Sequence, residues 1–591
     1  MMKKQKSSVW RAVRFLLNYV LRNRMLATLC TACVVLNSFA NIAAPYLLRP
    51  IINVYIPNKA TDSLVRAVIL LGVIYFIGVA SSWVSSRLMI RISQKTTQDI
   101  RNDLFAKIQT LPVGYLDGKT HGDFMSCFTG DIDTINDAVN TALNNILSGI
   151  ITFVGVIAMM LWISPLLCLI SACFLVSMYF LVKFSGSRSR FYFVRQQKQL
   201  GALNGYIQEI ISGLKVVKVT GHEREAVDGF QAHNEGLTES ANSAQTFAGM
   251  LMPALGGTAS INTAVSLCAG AVFVILGWVD LGSLVSYSQY LQQAGRPVAS
   301  ISSQWNLILA ATAGTERIMD VLSQDAEHQE GSVLLENGTW RADSEETPCR
   351  GTIEFRNVCF GYGDTEILHD ISFTASPGQK LALVGSTGAG KTTILNLLTR
   401  FYEPDSGQIL LDGVPAADIQ KEDLRRCFSA VLQDTHLFTD TVRENIRFGN
   451  PEASDENVIR AAKLASADYF ISHLPDGYDT VLSGDGGNLS AGQRQLISIA
   501  RGMIADRPVL LLDEATASVD TWTEHLIEQG MDRLMDGKTV LIIAHRLSTV
   551  RNADCILVLE HGRVLEQGTH EKLLANRGRY YELYNGTEEL S

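Results

Sequence analysis

The sequence predicts a two-part fold, a membrane domain of six helical spans followed by a soluble α/β domain built around a phosphate-binding loop. Three observations carry this expectation. Long apolar runs fill residues 25 to about 315, whereas residues 351–591 have the mixed composition of an ordinary α/β domain. The apolar run Leu381–Val384 leads into Gly385-Ser386-Thr387-Gly388-Ala389-Gly390-Lys391-Thr392 and then into Thr393–Arg400 at helical spacing, giving the strand, glycine loop and helix that a phosphate cradle needs. Finally, Val509–Leu512 is a wholly apolar stretch ending in Asp513 and Glu514, as expected of a buried parallel strand.

Composition sets the outer limits. At 591 residues the chain has room for several domains, and its net charge of −9 argues against a nucleic-acid partner. The ten cysteines are scattered. Cys30 and Cys33 form a C-x-x-C inside an apolar segment with no βαβ pattern around it, so they read as small packed hydrophobes, without a metal or redox role.

Residues 1–24 carry Lys3, Lys4, Lys6, Arg11, Arg14, Arg22 and Arg24, no acidic group, and the apolar set Trp10, Val13, Phe15, Leu16, Tyr19, Val20 and Leu21. That pattern predicts a basic amphipathic helix lying in the membrane interface. A cleaved signal peptide is not expected, because no small-residue cleavage site follows a short apolar core. Six spans then follow at about 25–52, 66–90, 138–162, 164–185, 248–278 and 282–310. The connections that hold Lys59 and Asp62, Ile163-Ser164-Pro165, and Asp280 are short. Those at 91–137 and 186–247 are long and charged, which places them and both termini on the cytoplasmic side. Their helical character predicts stalks that continue the spans. Asn37, Asn41, Asn144, Asn145, Gln289, Gln292, Gln293 and Arg296 are polar within spans and read equally as cavity lining or as interhelical bonds. Arg296-Pro297 adds a charge and a kink to the sixth.

Residues 323–350 are polar and aperiodic and read as a linker. From Thr352 the alternation Ile353, Phe355, Val358, Phe360 reads as a strand ending at Gly361-Tyr362-Gly363, where the ring of Tyr362 either stacks on an adenine or packs as a loop tyrosine. In the glycine loop, tight turns let successive N–H groups converge on a phosphate, and the helix N-terminus adds partial positive charge. Lys391 then reaches the β/γ-phosphates and Thr392 offers its hydroxyl to Mg²⁺. Three more strand ends bear polar groups. Gln433 follows Ala430–Leu432 and can face Mg²⁺ and an attacking water. Asp513 can hold Mg²⁺ through water while Glu514 polarises the nucleophile, and His545 follows Leu541–Ala544 and can contact a γ-phosphate.

Leu489-Ser490-Ala491-Gly492-Gln493 resembles the signature of ATP-binding cassette (ABC) proteins. The phosphate loop, Gln433, this signature, Asp513-Glu514, Ala517-Ser518-Val519-Asp520 and His545 occur in that family's order. With six spans ahead of them, the chain resembles an ABC exporter half-transporter. It would then have an elbow helix at 1–24, a transmembrane domain at 25–322, the linker at 323–350 and the ATP-binding domain at 351–591. The resemblance implies an ATPase using ATP and Mg²⁺ in the cytoplasmic membrane. Tyr362 would stack the adenine, and Gly385, Ser386, Thr387, Gly388, Ala389, Gly390, Lys391, Thr392 and Thr393 would hold the phosphates. Thr392, Gln433 and Asp513 would serve the metal, Glu514 would be the general base and His545 the γ-phosphate sensor. Ser490 and Gly492 would complete the site of a second half-transporter, and Gln493 and Asp520 would also bind nucleotide. Segments near Pro112–Lys119 and Gly213–His222 would be coupling helices.

Two departures bear on the partner. Ala491 stands where the family's signature usually has glycine, and Gly484-Asp485 occupies the place of a usual glutamate, a pattern similar to bacterial heterodimeric exporters. A heterodimer is therefore favoured over a homodimer. The expected cargo is an amphipathic, drug-like solute, by analogy alone; a lipid or peptide is the alternative. A soluble ABC ATPase is disfavoured by the six spans, an importer subunit by their fusion to the cassette. A non-pumping ATP-gated channel or regulator stays open.

Overall fold

The computed structural model describes residues 2–327, 331–336, 338–342, 345–363, 365–432, 435–513, 520–544 and 550–585. The chain divides into two compact units, Met1–Gln109 with Thr120–Gln324, and Thr110–Lys119 with Asp325–Ser591.

The first unit is all helix. Among the described residues, Trp10–Tyr55, Thr61–Ile108, His121–Ile163 and Gly256–Ile275 are long and apolar enough to cross a bilayer. The other two expected spans fall within the helices Pro165–Ser212 and Leu281–Ser323. Local chemistry explains where helices begin. Ser164 takes an extended conformation and accepts the Leu167 N–H, with Pro165 in the first turn, where its missing N–H is harmless. Asp280 caps the last helix by accepting the Ser283 N–H at 2.7 Å, and its carboxylate also takes hydrogen bonds from Arg49, at 2.8 Å, and Asn53. Pro297 lies within that helix without interrupting it; the side chain of Arg296 is outside the described set.

Helices pack through stripes of apolar and small residues. Cys30 and Val34 bury against Leu88, Met89 and Ile92, and Gly78 faces Ala40 so closely that a Cβ there would lie 3.2 Å from the Ala40 methyl. Tyr287 and Tyr290 bury with Val156, Met160 and Leu167. Their hydroxyls are satisfied: Tyr290 donates to the Ile42 carbonyl at 2.6 Å, and Tyr287 pairs with Ser171 at 2.8 Å, which in turn reaches Ser266. The outward surface is apolar, with Phe76, Val79, Trp83 and Leu169 all exposed, as a lipid environment permits. A helix of 48 residues such as Thr61–Ile108 is about 72 Å long, more than twice a hydrocarbon core of about 30 Å, so it continues beyond it.

Among the described residues the second unit holds three sheets. Strands β1 (Leu334–Glu336), β2 (Thr339–Ala342) and β3 (Glu345–Pro348) form an antiparallel sheet. Strands β4 (Ile353–Tyr362), β5 (Thr365–Ala375), β7 (Ser406–Leu411) and β8 (Val414–Pro415) form a second, in the order β5-β4-β7-β8. The third contains β6 (Lys380–Val384), β9 (Phe428–Val431), β10 (Val509–Asp513), β11 (Thr539–Ile543), β12 (Cys555–Glu560) and β13 (Arg563–Gly568), in the order β13-β12-β6-β11-β10-β9. All its pairings are parallel except β12 with β13. Its central strands are buried along their length because one face packs on the other sheets and one on helices.

The stretch 323–350, read from the sequence as a linker, is folded over 334–348. Trp340 is fully buried with Val333 in the core beneath β4 and β5, and its indole N–H donates to Asp412 at 3.1 Å. Short strands with little apolar content hide their periodicity, and here one aromatic anchor supplies most of the burial.

Candidate functional site

The parallel strands β6, β11, β10 and β9 lie side by side, so the chain leaves all four at one edge, where ligands gather in open α/β sheets. That edge receives the glycine loop from β6, Asp513 from β10, and the segments after β9 and β11. Gln433, Glu514 and His545 lie outside the described residues, as do residues 517–519; the strands that deliver the first three are described.

The loop's glycines are required for two different reasons. Gly388 and Gly390 adopt φ of +82° and +99°, which a side chain resists. A Cβ on Gly385 would sit 2.1 Å from the carbonyl oxygen of Leu559 on neighbouring β12, so that position fails on space. Lys391 opens the helix Lys391–Leu398 and is buried; its ammonium arches back to donate to the carbonyls of Gly385 at 2.5 Å and Ser386 at 3.2 Å. Burial pulls its pKa down and the charge of Asp513 opposes this, so the two groups share one electrostatic environment. Thr392 is exposed while Thr393 is buried. A buried cation beside a cradle of glycine N–H groups fits a polyphosphate, and an exposed hydroxyl with Asp513 nearby offers hard oxygen donors suited to Mg²⁺.

Tyr362 ends β4 with its ring partly exposed. Asn396, on the loop's own helix, donates to its hydroxyl at 3.4 Å, and the ring meets Phe360 and Tyr402 edge-on at 4.9 and 5.0 Å. This fixes the ring relative to the phosphate cradle and leaves one part open for stacking. Tyr402, which the sequence did not single out, also donates its hydroxyl to Asp117 at 2.7 Å. Asp117 belongs to the short helix Val113–Asp117, and Gly114 of that helix lies against the Tyr402 ring. Further along, the Glu327 N–H donates to the Thr110 carbonyl at 2.7 Å. The segment 110–119 is thus part of the second unit and is linked through Tyr402 to Tyr362. The other segment expected to couple contains Leu214–Thr220, a short helix of the first unit with Val216 and Val219 exposed.

Ser490 caps the helix Ala491–Ala505 through a capping box. Gln493 N–H donates to the Ser490 hydroxyl at 3.2 Å, and the Ser490 N–H donates to the Gln493 amide at 2.9 Å. Ser490 and Ala491 are exposed at this N-terminus and Gly492 is buried, so the helix presents its positive end outward. Asp485, at φ +56°, accepts from the Leu437 N–H at 3.2 Å and contacts the His436 ring at 3.2 Å. It therefore ties the loop that follows Gln433 to the loop before Ser490. The Leu437 N–H, then the histidine, hold its carboxyl below the usual range. Asp520 caps the helix Thr521–Met535 by accepting the Thr523 N–H at 3.0 Å. The chain thus gathers the phosphate-loop elements at its sheet edge, while Ser490 and Ala491 are displayed at the start of a separate helix.

Comparison with known proteins agrees with this arrangement. Residues 27–298 match the family model described as the ABC transporter transmembrane region, and residues 368–517 match the one described as ABC transporter. The chain is 40% identical over 579 residues to an uncharacterized ABC transporter ATP-binding protein, YfiC, of Bacillus subtilis, covering 98% of this chain and 94% of that one. It is 38% identical over 531 residues to a fatty acid ABC transporter ATP-binding/permease protein of Mycobacterium bovis, covering 89% and 82%. A solved structure of a bacterial Atm1-family ABC exporter with ATP bound superposes with a TM-score of 0.75 at 27% identity, covering 97% of this chain and 100% of that one.

Proposed function

The chain belongs to the ABC transporter family, as an exporter half-transporter with its membrane region fused to its ATPase cassette, and from that premise we propose that it moves an amphipathic, lipid-like solute outward across the cytoplasmic membrane. The observation that carries the reading is the sheet edge where the glycine loop, Lys391 and Asp513 converge in a chain whose helices expose apolar surface to their surroundings. A fatty-acid or lipid cargo is favoured over a drug-like one because one relative is named as a fatty acid transporter.

In this proposal Gly385 to Thr393 and Lys391 bind the phosphates of ATP, Tyr362 stacks the base, and Thr392, Gln433 and Asp513 hold Mg²⁺. The ion, when bound, neutralises charge developing between the β- and γ-phosphates. Glu514 accepts the proton of the attacking water and His545 contacts the γ-phosphate. Ser490, Gly492, Gln493 and Asp520 act on the ATP held by a second half-transporter, which couples nucleotide binding to closure of the pair. Tyr402 and Asp117 pass that closure to the segment 110–119, and Val216 and Val219 offer an apolar docking face on the other coupling segment. The exposed methyl of Ala491 at the signature favours a heterodimer with an unlike partner.

The test is transport by the full chain in proteoliposomes, alone and with a candidate partner half, offering a labelled fatty acid, a labelled phospholipid and a cationic dye. ATP-dependent movement of the first or second beyond the third is the expected result. Movement of the dye alone would overturn the lipid reading, and full activity of the chain by itself would overturn the heterodimer.

A further inference from the structure

Two of the ten cysteines, Cys349 and Cys427, bring their sulfurs to 3.3 Å although 78 residues separate them. A disulfide needs about 2.05 Å, so the pair stands about 1.3 Å from bonding. Both backbones are held. The Cys349 N–H donates to the Gly338 carbonyl at 2.9 Å. The next three N–H groups, of Arg350, Gly351 and Thr352, all donate to the Asp412 carboxylate. On the other side, the Cys427 carbonyl accepts the Val509 N–H at 3.2 Å and its thiol reaches the Asp423 carbonyl at 3.7 Å. These bonds fix the backbones that carry the two sulfurs on either side of the contact.

We propose that Cys349 and Cys427 form a reversible disulfide site in the cassette, oxidised by low-molecular-weight disulfides. Its two thiols divide the work by exposure, since Cys349 is partly exposed and Cys427 fully buried. The Cys349 thiolate attacks one sulfur of the small disulfide; the S–S bond breaks and one thiolate leaves, taking up the proton that Cys349 lost. Cys427 then attacks Cys349 Sγ, forms the protein disulfide and expels the second small thiolate, which takes up the Cys427 proton. The protein loses two electrons and two protons, and the reagent becomes two thiols. The contact with Cys349, then burial, push the Cys427 thiol pKa up, which suits a resolving group and keeps it from reacting first. In a reducing cytoplasm the dithiol is the resting form. The bond ties the chain entering β4 to the start of β9, the strand that leads to Gln433.

The test treats the purified full-length protein with oxidised glutathione, blocks remaining thiols after unfolding, and maps peptides by mass. The expected result is a cross-linked peptide pair containing both residues, reversed by dithiothreitol. Oxidised wild type should also melt at least about 5 °C above the reduced form, because closing so long a loop restricts the unfolded chain. C427S should stop at a glutathione adduct on Cys349. Recovery of both residues as free thiols, a persistent adduct on Cys349 in wild type, or a melting point that fails to rise would each overturn the proposal, and the wild-type readouts stand even if a variant folds poorly.

Discussion

Tyr402→Phe removes one oxygen from the path between Tyr362 and the helix Val113–Asp117. The phenylalanine keeps the edge-on contacts with Phe360 and Tyr362 and the packing on Gly114. It deletes only the 2.7 Å hydrogen bond to Asp117. A hydrogen bond to a charged group contributes about 1.5–3 kcal/mol when sheltered, but Asp117 is exposed, so screening reduces this to about 1 kcal/mol. That corresponds to about a fivefold loss in how firmly the segment is held. In the proposed site ATP affinity rests on the Tyr362 ring and the cradle, so nucleotide binding and basal hydrolysis should stay within about twofold of wild type, while solute moved per ATP falls by up to about fivefold. The assay measures both quantities on one proteoliposome preparation, with Tyr402→Ala as the variant that also frees Tyr362 and weakens ATP binding. If hydrolysis and transport fall together in Tyr402→Phe, or if the ratio is unchanged, the contact does not transmit closure and the reasoning fails.

Other outcomes follow from single positions. Gly385→Ala sets a methyl 2.1 Å from a backbone oxygen and should destabilise the cassette by about 2–3 kcal/mol. Gly388→Ala meets nothing within 4 Å and pays only for φ of +82°, about 1–2 kcal/mol; denaturation and nucleotide titration should rank them in that order, and the reverse order would refute the geometry. The buried Lys391 has a pKa below its ordinary 10.5, so the unfolded chain binds more protons than the folded one just below that value. Stability conferred by this group therefore rises as pH climbs toward 10.5, and Lys391→Met should flatten that rise in melting measured against pH. Glu514→Gln should bind ATP normally yet nearly abolish turnover. A variant that keeps most of its hydrolysis would remove Glu514 from the role of base.

Features written into short windows were legible beforehand. The apolar runs of β6, β10 and β11, the Ser164-Pro165 helix start and the glycine loop each depend on neighbours a few residues away, and periodicity reports that range directly. The same rule explains what was missed. The sheet at 334–348 is anchored by Trp340 on Asp412, 72 residues away, and its strands have no pattern of their own. Cys349 and Cys427, 78 residues apart, had no local signal to link them. Tyr402 looked like an ordinary residue after a helix until Asp117, 285 residues upstream, came within 2.7 Å of it.

From the sequence alone came the class of chemistry and the list of parts: a phosphate cradle, strands tipped with polar groups, a signature, and enough apolar helix to occupy a bilayer. These follow from residue type and spacing, which act through local backbone geometry and solvation. Tertiary structure decided which parts meet. It brought the ends of four parallel strands to one edge, joined residues 110–119 to the second unit through Tyr402, and set two distant thiols side by side. Those pairings arise from chain topology and close packing, and no window of sequence contains both members of any of them.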